Sequence, residues 1–547
     1  MKAAKLFVES LEACSVEYVF GVPGEENLEL LEALRESSIE MVTTRDEQTA
    51  VFMAATIGRL TGRIGVALST LGPGATNLIT GVAYAQLGAM PLLVITGQKP
   101  IKKSKQGKFQ IVDIVRMMKP ITKFSETIVS ADRVPSSVYH AIRTAENERP
   151  GAVHLEFPED IAGEETNAKP LAWEKIRRPV PDDKSINMLV KAVESAKSPI
   201  IMIGAGANRK LIRKQLRNFI EKTNIPFIST QMGKGVEDES DPRYIGTAAL
   251  SDNDFVHKAL EHADLIIMVG HDITEKPPVL DESDQKFIHI NFSPAEIDDV
   301  YTPDVEVVGD ISHALWAATE KVKISQWDFK KFYDIKAKLT ENIAYKADSD
   351  DFPIKPQRFA ASLRAILPHD AILSLDNGMY KLWVARNYPA YDQNTVLLDN
   401  ALATMGAGLG VGMAAKMLQP DKKVVVVAGD GGFLMNLADL ETAVRLKLDL
   451  TIIVLNDNGY GMIKWKQKSM NLADYGLSFA NPDFEKLAES FGASGHGKKI
   501  KSVADFEKTL KEAIESKGIN IIELPVDYSE NNTYFGTDLA KKIKELS

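Results

Sequence analysis

The chain has 547 residues, 44% of them hydrophobic and 26% charged, enough for about three to five domains that need no metal or disulfide staples. Lys and Arg number 65 against 75 Asp and Glu, a net charge of −10, which argues against a protein that grips nucleic acid through bulk positive charge. One cysteine, Cys14, excludes a disulfide framework and a cysteine-based metal site, and it fits a reducing compartment.

The first residues carry acids at Glu9, Glu12 and Glu17 and no uninterrupted apolar run behind the early lysines, so no secretory signal is expected and the reading is cytoplasmic. Strands are expected at Tyr18–Val22, Ile39–Thr43, Ile64–Ser69 and Pro91–Thr96. The charge-free stretch Ile64–Gln98 is too rich in Gly, Pro, Thr and Asn to span a membrane. It reads as buried strand–helix–strand, with small-residue surface suited to a partner subunit. A polar, proline-containing segment, Asp160–Lys184, reads as a linker.

A second strand group follows at Pro199–Gly204, Ile225–Thr230, Asp264–Gly270 and Phe287–Asn291. The acidic stretch Lys346–Pro356 reads as another linker. The third group is Ala371–Leu375, Val424–Ala428, Thr451–Leu455 and Ile519–Leu524. Short β-branched runs alternating with helical patterns predict an α/β protein with three doubly wound parallel sheets, in domains 1–165, 185–345 and 356–547.

The chemistry concentrates in the third group. The strand Val424–Ala428 runs into Gly429-Asp430-Gly431-Gly432, then a helix with Leu437, Leu440 and Val444 on one face. The next strand runs into Asn456-Asp457-Asn458-Gly459. A right-handed crossover places both polar clusters at the carboxyl ends of neighbouring parallel strands, where open α/β sheets bind ligands. Asp430 and Asp457 are hard oxygen donors suited to Mg²⁺, which takes few protein carboxylates alongside substrate phosphates. The glycines let backbone approach a diphosphate, and a helix start supplies free N–H groups. Each turn alone could be an ordinary strand closure; joined by one crossover they point to a metal–diphosphate site.

With those residues in hand the chain resembles the thiamine diphosphate enzymes of the acetolactate synthase and pyruvate decarboxylase group. Gly429-Asp430-Gly431 and Asn456-Asp457 stand where that family has its metal motif, with Asp457 in place of a second Asn. Gly21-Val22-Pro23-Gly24, Arg45-Asp46-Glu47-Gln48, Leu71-Gly72-Pro73-Gly74-Ala75-Thr76-Asn77 and Ala403-Thr404-Met405-Gly406 resemble further family segments in the family's order.

The resemblance implies metal ligation by Asp430, Asp457 and the carbonyl of Gly459. It implies that Glu47, at the start of a helix Gln48–Leu60, bonds the cofactor's aminopyrimidine ring and drives its activation. It implies that Met405 supports the bent cofactor, while the Ala403 carbonyl accepts from its exocyclic amine. Cofactor contacts are likewise implied for Pro23, Thr70, Gly74, Asn77, Asn377, Gly378, Tyr380, Gly432, Tyr460, Gly461 and Met462. Read singly, Glu47 could merely complement a helix dipole, and Met405 could merely fill core.

Phe109-Gln110, after the basic loop Lys99–Lys108, resembles a pair that lies near substrate in acetolactate synthases. Pro525–Ser529 resembles the catabolic, flavin-free members. Where biosynthetic members carry a tryptophan that selects the acceptor, this chain has Lys466, with Trp465 one residue earlier. Its diphosphate segment reads Gly378-Met379-Tyr380-Lys381.

Gly204-Ala205-Gly206-Ala207 is only part of a dinucleotide fingerprint, and Gly270–Glu275 departs from the expected flavin-binding run, so FAD is not expected. No HExxH, GxSxG or Walker-type loop occurs, which suits a cofactor that carries the chemistry. The expectation is a thiamine diphosphate- and Mg²⁺-dependent synthase that joins two pyruvates into 2-acetolactate. The alternatives are a related 2-keto-acid decarboxylase or carboligase with another acceptor, or a cofactor-binding scaffold without turnover. Expected partners are small 2-keto acids and further copies of the chain, as dimer or tetramer, with no nucleic acid and no membrane. A regulatory subunit is left open.

Overall fold

Apolar runs buried from end to end belong in parallel sheets covered on both faces, and the computed structural model of the chain places them there. It describes all residues except 103–106, 175, 210–211, 276–284, 299–300, 494–497 and 547. The first sheet holds β1 (Tyr18–Val22), β2 (Glu40–Thr43), β3 (Gly65–Ser69), β4 (Leu92–Gln98), β5 (Phe124–Thr127) and β6 (Ala152–Pro158), ordered β2-β1-β3-β4-β6-β5. The second holds β7 (Pro199–Ile203), β8 (Phe227–Thr230), β9 (Tyr244–Ala248), β10 (Leu265–Val269), β11 (Lys286–Asn291) and β12 (Val305–Val308), ordered β12-β11-β10-β7-β8-β9. The third holds β13 (Ile372–Leu375), β14 (Val396–Leu397), β15 (Val424–Gly429), β16 (Leu450–Asn456), β17 (Lys498–Lys499) and β18 (Ile519–Pro525), ordered β14-β13-β15-β16-β18-β17. The pairings within these sheets are parallel.

By contacts the chain forms two units. One comprises Met1–Arg177, Ala401–Gln419 and Asn436–Leu448 and contains the first sheet. The other comprises Arg178–Asn400, Pro420–Met435 and Asp449–Ser547 and contains the second and third sheets. In the first unit Phe7, Leu11, Val66, Leu93, Ile142 and Leu155 share one apolar core. In the second, Trp383 and Tyr534 pack in one cluster with Met268 and Phe332. Arg386 there grips Asp254 with two contacts of 2.8 Å, both side chains 1% exposed.

All twelve expected strands form, Tyr18–Val22 with its expected bounds and the others with ends shifted by at most two residues. Six more were not expected: β5, β6, β9, β12, β14 and β17. Five of the six are sheet edges: β5 and β12 are only partly buried, β14 and β17 have two residues each, and β9, though largely buried, has its apolar run broken by Gly246 and Thr247. β6 is the exception. It is buried throughout, yet it carries His154 and Glu156.

Both groups are satisfied by neighbours. The His154 ring nitrogens meet Thr96 Oγ1 at 2.9 Å and Ser125 Oγ at 2.8 Å. Glu156 accepts from Gln98 Nε2 at 2.9 Å and Thr127 Oγ1 at 2.7 Å. Burial pushes the His154 ring down to about 3, so it stays neutral.

The single helix expected after Gly432 is three pieces: a helix Asp430–Met435, a 3₁₀ turn Leu437–Asp439 and a helix Leu440–Arg445. Only Leu440 of the three marked apolar residues is fully buried. The break is fixed by the buried Asp439 carboxylate, which takes the Arg45 amide at 2.8 Å and the Thr442 hydroxyl at 2.7 Å. The basic loop is also corrected at its start. Lys99 is 5% exposed and bonds Glu26 Oε1 at 2.5 Å, so it is an interior ion pair rather than a surface base. Residues 103–106 of that loop lie outside the described residues.

Candidate active site

Where the winding of an open parallel sheet changes direction from its first strand, the loops leaving the two strands at that switch form a crevice where ligands bind. In the first sheet the switch lies at β1 and β3, in the third at β13 and β15. The loops after these strands hold Pro23, Thr70, Gly74, Asn77, Asn377, Gly378, Asp430 and Gly431, while Glu47 follows β2 and Asp457 and Gly459 follow β16.

In the first unit β1 leads through exposed Pro23 to Gly24, and β3 leads to Thr70–Asn77. Thr70 Oγ1 donates to Glu26 Oε2 at 2.5 Å, and the Thr70 side chain lies against Gly24. Glu47 is the first residue of the helix Glu47–Thr61, not the residue before it as expected. Asp46 is the cap, and its Oδ1 accepts from Gln48 N at 2.8 Å and Thr49 N at 3.3 Å.

The Glu47 side chain is 8% exposed, and its Oε2 accepts from Asn77 Nδ2 at 3.0 Å. A Cβ at Gly74 would stand 3.1 Å from Glu47 Oε1 and 3.0 Å from Thr70 Cγ2, so the chain at Gly74 passes close against this carboxylate. Glu47, Thr70, Gly74 and Asn77 are therefore brought together.

Gln110, at φ +58°, lays its carbonyl 2.9 Å from where a Cβ of Gly72 would be. Phe109 beside it is 66% exposed. The helix Ala407–Leu418 packs on Glu47–Thr61, with Gly410 against Phe52 and Thr49. The turn before it holds Met405, partly buried, and Ala403 at φ +56°. An alanine there does occupy the left-handed region that glycine would enter freely.

In the second unit Gly429 of β15 pairs with Leu455 of β16, so the two acid-bearing turns start side by side. Asp430 is 1% exposed. Its Oδ1 accepts from Gly431 N at 2.8 Å; its Oδ2 accepts from Asn458 N and from Asn481 Nδ2, both at 2.8 Å. Burial, then the Asp430 charge, push the Asp457 carboxyl up to about 7, against a pull downward from Lys464. Two acids that resist sharing negative charge form a place for a cation.

A Cβ at Gly431 would meet Tyr460 Cε1 at 2.9 Å and Phe479 Cζ at 3.2 Å; one at Gly461 would meet Asp457 Oδ2 at 2.5 Å. The ring of Tyr380, fully buried, lies 2.5 Å from a Cβ position at Gly378 and 3.2 Å from one at Gly429. Lys381 donates to Asn377 Oδ1 at 2.6 Å and to the Asp399 carbonyl at 2.9 Å. The Lys464 ammonium lies against Gly459. Asp457, Gly461, Lys464, Trp465, Lys468 and Tyr528 line part of a cavity of about 220 Å³. Met462 packs with Trp465 and Tyr528 on the neighbouring apolar cluster.

Asn481, Lys464 and Tyr528 were not anticipated. Asn481 stands before a proline in an irregular stretch far along the chain from Asp430, and nothing in its local pattern marks it.

These residues fit a divalent cation with a diphosphate. Among the described residues no group of three His, Cys, Asp or Glu is arranged around a metal position. A cation at Asp430 and Asp457 would take its remaining oxygens from backbone and from an anionic ligand, as Mg²⁺ does. The glycines at 429, 431, 459 and 461 let Tyr380, Tyr460, Phe479, Lys464 and Asp457 pack directly against these turns, where a Cβ would collide with them.

In the second sheet the equivalent turn is filled by the protein itself. Ala205 N donates to Glu275 Oε1 at 2.6 Å. No helix among the described residues is long and apolar enough to cross a membrane.

Three family models match the chain: "Thiamine pyrophosphate enzyme, N-terminal TPP binding domain" at residues 1–117, the central domain of the same enzymes at 186–318, and their C-terminal TPP binding domain at 376–524. The chain is 32% identical to an acetolactate synthase of Bacillus subtilis (strain 168), over 100% of this chain and 96% of that protein. It is 32% identical to a catabolic acetolactate synthase of Raoultella terrigena, over 97% and 96%. It is 30% identical to a probable acetolactate synthase large subunit of Methanococcus aeolicus, over 97% and 92%.

Proposed function

Since the chain belongs to the thiamine pyrophosphate enzymes and, among them, to the acetolactate synthase family, we propose that it decarboxylates one pyruvate and joins the two-carbon remainder to a second, giving 2-acetolactate and CO₂. The observation that carries this reading is the pair of acid-bearing turns in register at the ends of β15 and β16. Asp430, Asp457 and the Gly459 carbonyl would hold Mg²⁺, and the glycine turns would admit the diphosphate. Thiamine diphosphate, once bound, supplies the electron sink for decarboxylation and the nucleophilic carbon for ligation.

The chain's own part is to bind, orient and move one proton. Glu47 is the proton-handling group. Its second oxygen is held by Asn77, and Asp46 fixes the helix start beneath it. Thr70, Pro23, Gly74 and Asn77 would serve the ring of the cofactor; Asn377, Gly378, Tyr380, Tyr460, Gly461 and Met462 would serve its diphosphate end; Met405 would support the bent cofactor and the Ala403 carbonyl would accept from its exocyclic amine. Phe109 and Gln110 serve the 2-keto acid substrate.

The domain division 1–165, 185–345 and 356–547 follows the three sheets. Glu47 and the two aspartates lie in different units of the chain, and the reading gives one site to a pair of chains, in a dimer or tetramer.

The deciding experiment is a product assay with pyruvate alone and with pyruvate plus aldehydes or other 2-keto acids. Acetolactate from pyruvate alone, dependent on thiamine diphosphate and Mg²⁺, is expected. A product that requires a second compound assigns the other acceptor, and no product from any mixture refutes the enzyme.

A further inference from the structure

The Asp430 carboxylate is held by three donors, all neutral: the amides of Gly431 and Asn458 and the side chain of Asn481. The two amides come with the turns themselves. Asn481 is brought from elsewhere. Its Nδ2 stands 2.8 Å from Asp430 Oδ2, 3.0 Å from Asn456 Oδ1 and 3.3 Å from Asn458 Oδ1. Three acceptors around one terminal atom fix that atom as nitrogen, since a flipped amide would set oxygen against a carboxylate.

The other end of the amide is informative in a different way. Asn481 Oδ1 is buried and has no partner among the described residues. A buried acceptor left open costs free energy unless something fills it. Mg²⁺ characteristically keeps several of its waters, and each of these is a donor.

Asn481 is also delivered by a fixed element. Ser478 bridges Gly459, Tyr460 N donates to Leu477 O at 3.0 Å, and Phe479 N donates to Asn458 O at 3.3 Å. The Phe479 ring meets Tyr460 edge-on at 5.1 Å. The stretch 477–481 thus runs as a strap along the very turn that carries Asp457 and Gly459.

We propose that Asn481 is a positioning residue for the metal: its Nδ2 aims the Asp430 carboxylate and ties the two acid-bearing turns together, and its Oδ1 receives a water of the bound cation. The proposal rests on the reading of Asp430 and Asp457 as metal ligands. Residues that orient a metal ligand in this way typically change metal affinity by about 10–100-fold when removed.

The test is thiamine diphosphate binding to chelator-stripped full-length protein, followed by tryptophan fluorescence while Mg²⁺ is titrated. Wild type, Asn481→Ala, Asn481→Ser and Asp430→Ala are compared. Asn481→Ala is expected to raise the Mg²⁺ concentration for half-maximal binding about 10–100-fold, with binding recovered at high Mg²⁺. Asn481→Ser, which keeps a short donor, should fall between it and wild type. A half-saturation within twofold of wild type overturns the proposal, as does a loss of binding that no Mg²⁺ concentration recovers in a variant with wild-type melting. Asp430→Ala separates the two layers. If wild type needs Mg²⁺ and Asp430→Ala abolishes the dependence while Asn481→Ala leaves it untouched, only the role of Asn481 fails. If Asp430→Ala leaves the dependence unchanged, the metal-site reading fails and this proposal with it.

Discussion

Replacing Glu47 by Gln isolates the proton-handling role because almost nothing else at that position depends on the charge. The side chain keeps its length and volume. The helix start is secured by Asp46, whose Oδ1 holds the Gln48 and Thr49 amides. Asn77, at an exposed position, donates to the Glu47 carboxylate through Nδ2 at 3.0 Å, and the carbonyl of a glutamine side chain can accept that bond in its place. A net cost to stability of at most about 1 kcal/mol is expected for a single hydrogen bond of this kind.

The expected loss of turnover is far larger. Removing a general acid–base group typically costs about 10²–10⁴-fold, or roughly 2.7–5.5 kcal/mol of transition-state stabilisation. The two effects are therefore separable in one preparation. Acetolactate formation from pyruvate at saturating cofactor should drop by at least two orders of magnitude, while circular dichroism and melting temperature stay close to wild type. A folded Glu47→Gln protein with more than half of wild-type turnover refutes the assignment.

Three further outcomes are expected. Purified protein should carry no stoichiometric flavin and need none, because Glu275 already occupies the Ala205 amide in the turn where a phosphate would sit; flavin absorbance bands or strict dependence on added FAD would contradict this. Burial pushes Glu275 from its ordinary 4.5 up to about 7, so its proton is held more tightly in the folded chain, and stability of roughly 3 kcal/mol is lost as pH rises from 4.5 through 7. Glu275→Gln should therefore melt higher than wild type at pH 8.5 but not at pH 5, and an equal difference at both pH values would sink the argument. Mixing inactive Glu47→Gln with inactive Asp430→Ala under conditions of demonstrated subunit exchange should restore part of the activity, and no recovery would rule out a site shared by two chains.

How far the sequence could be read depended on whether a residue's role was local. The twelve expected strands are apolar runs, and the sheet's burial of both faces makes such runs self-announcing. β6 escaped because His154 and Glu156 break its apolar pattern, and their acceptability depends on Thr96, Ser125, Gln98 and Thr127 from neighbouring strands. The break at Asp439 likewise depends on an amide from Arg45, far away in the chain. Asp430 and Asp457 were legible because strand, turn and glycine sit together in the sequence. Asn481 was not, since its only credential is spatial: it reaches a carboxylate delivered by a different turn.

The strand orders add a step. The first sheet, β2-β1-β3-β4-β6-β5, and the third, β14-β13-β15-β16-β18-β17, follow one and the same order, while the second does not. An identical order puts an identical crevice at the ends of β1 and β3 and of β13 and β15, so topology alone does not distinguish the two. The side chains do. One crevice sets a carboxylate against a glycine with an amide holding its far oxygen, an arrangement for handling a proton. The other sets two carboxylates side by side among glycines, an arrangement for a cation and its anion. On the function proposed above, the first arrangement suits the cofactor's ring and the second its diphosphate. The similarity of the two sheets thus accounts for where the sites are, and the difference in their loop residues accounts for what each does. A chain with Asp430 and Asp457 intact and Glu47 replaced should then still bind thiamine diphosphate with Mg²⁺, read by the tryptophan-fluorescence titration, while failing to turn pyruvate over, and loss of that binding would refute the division of roles.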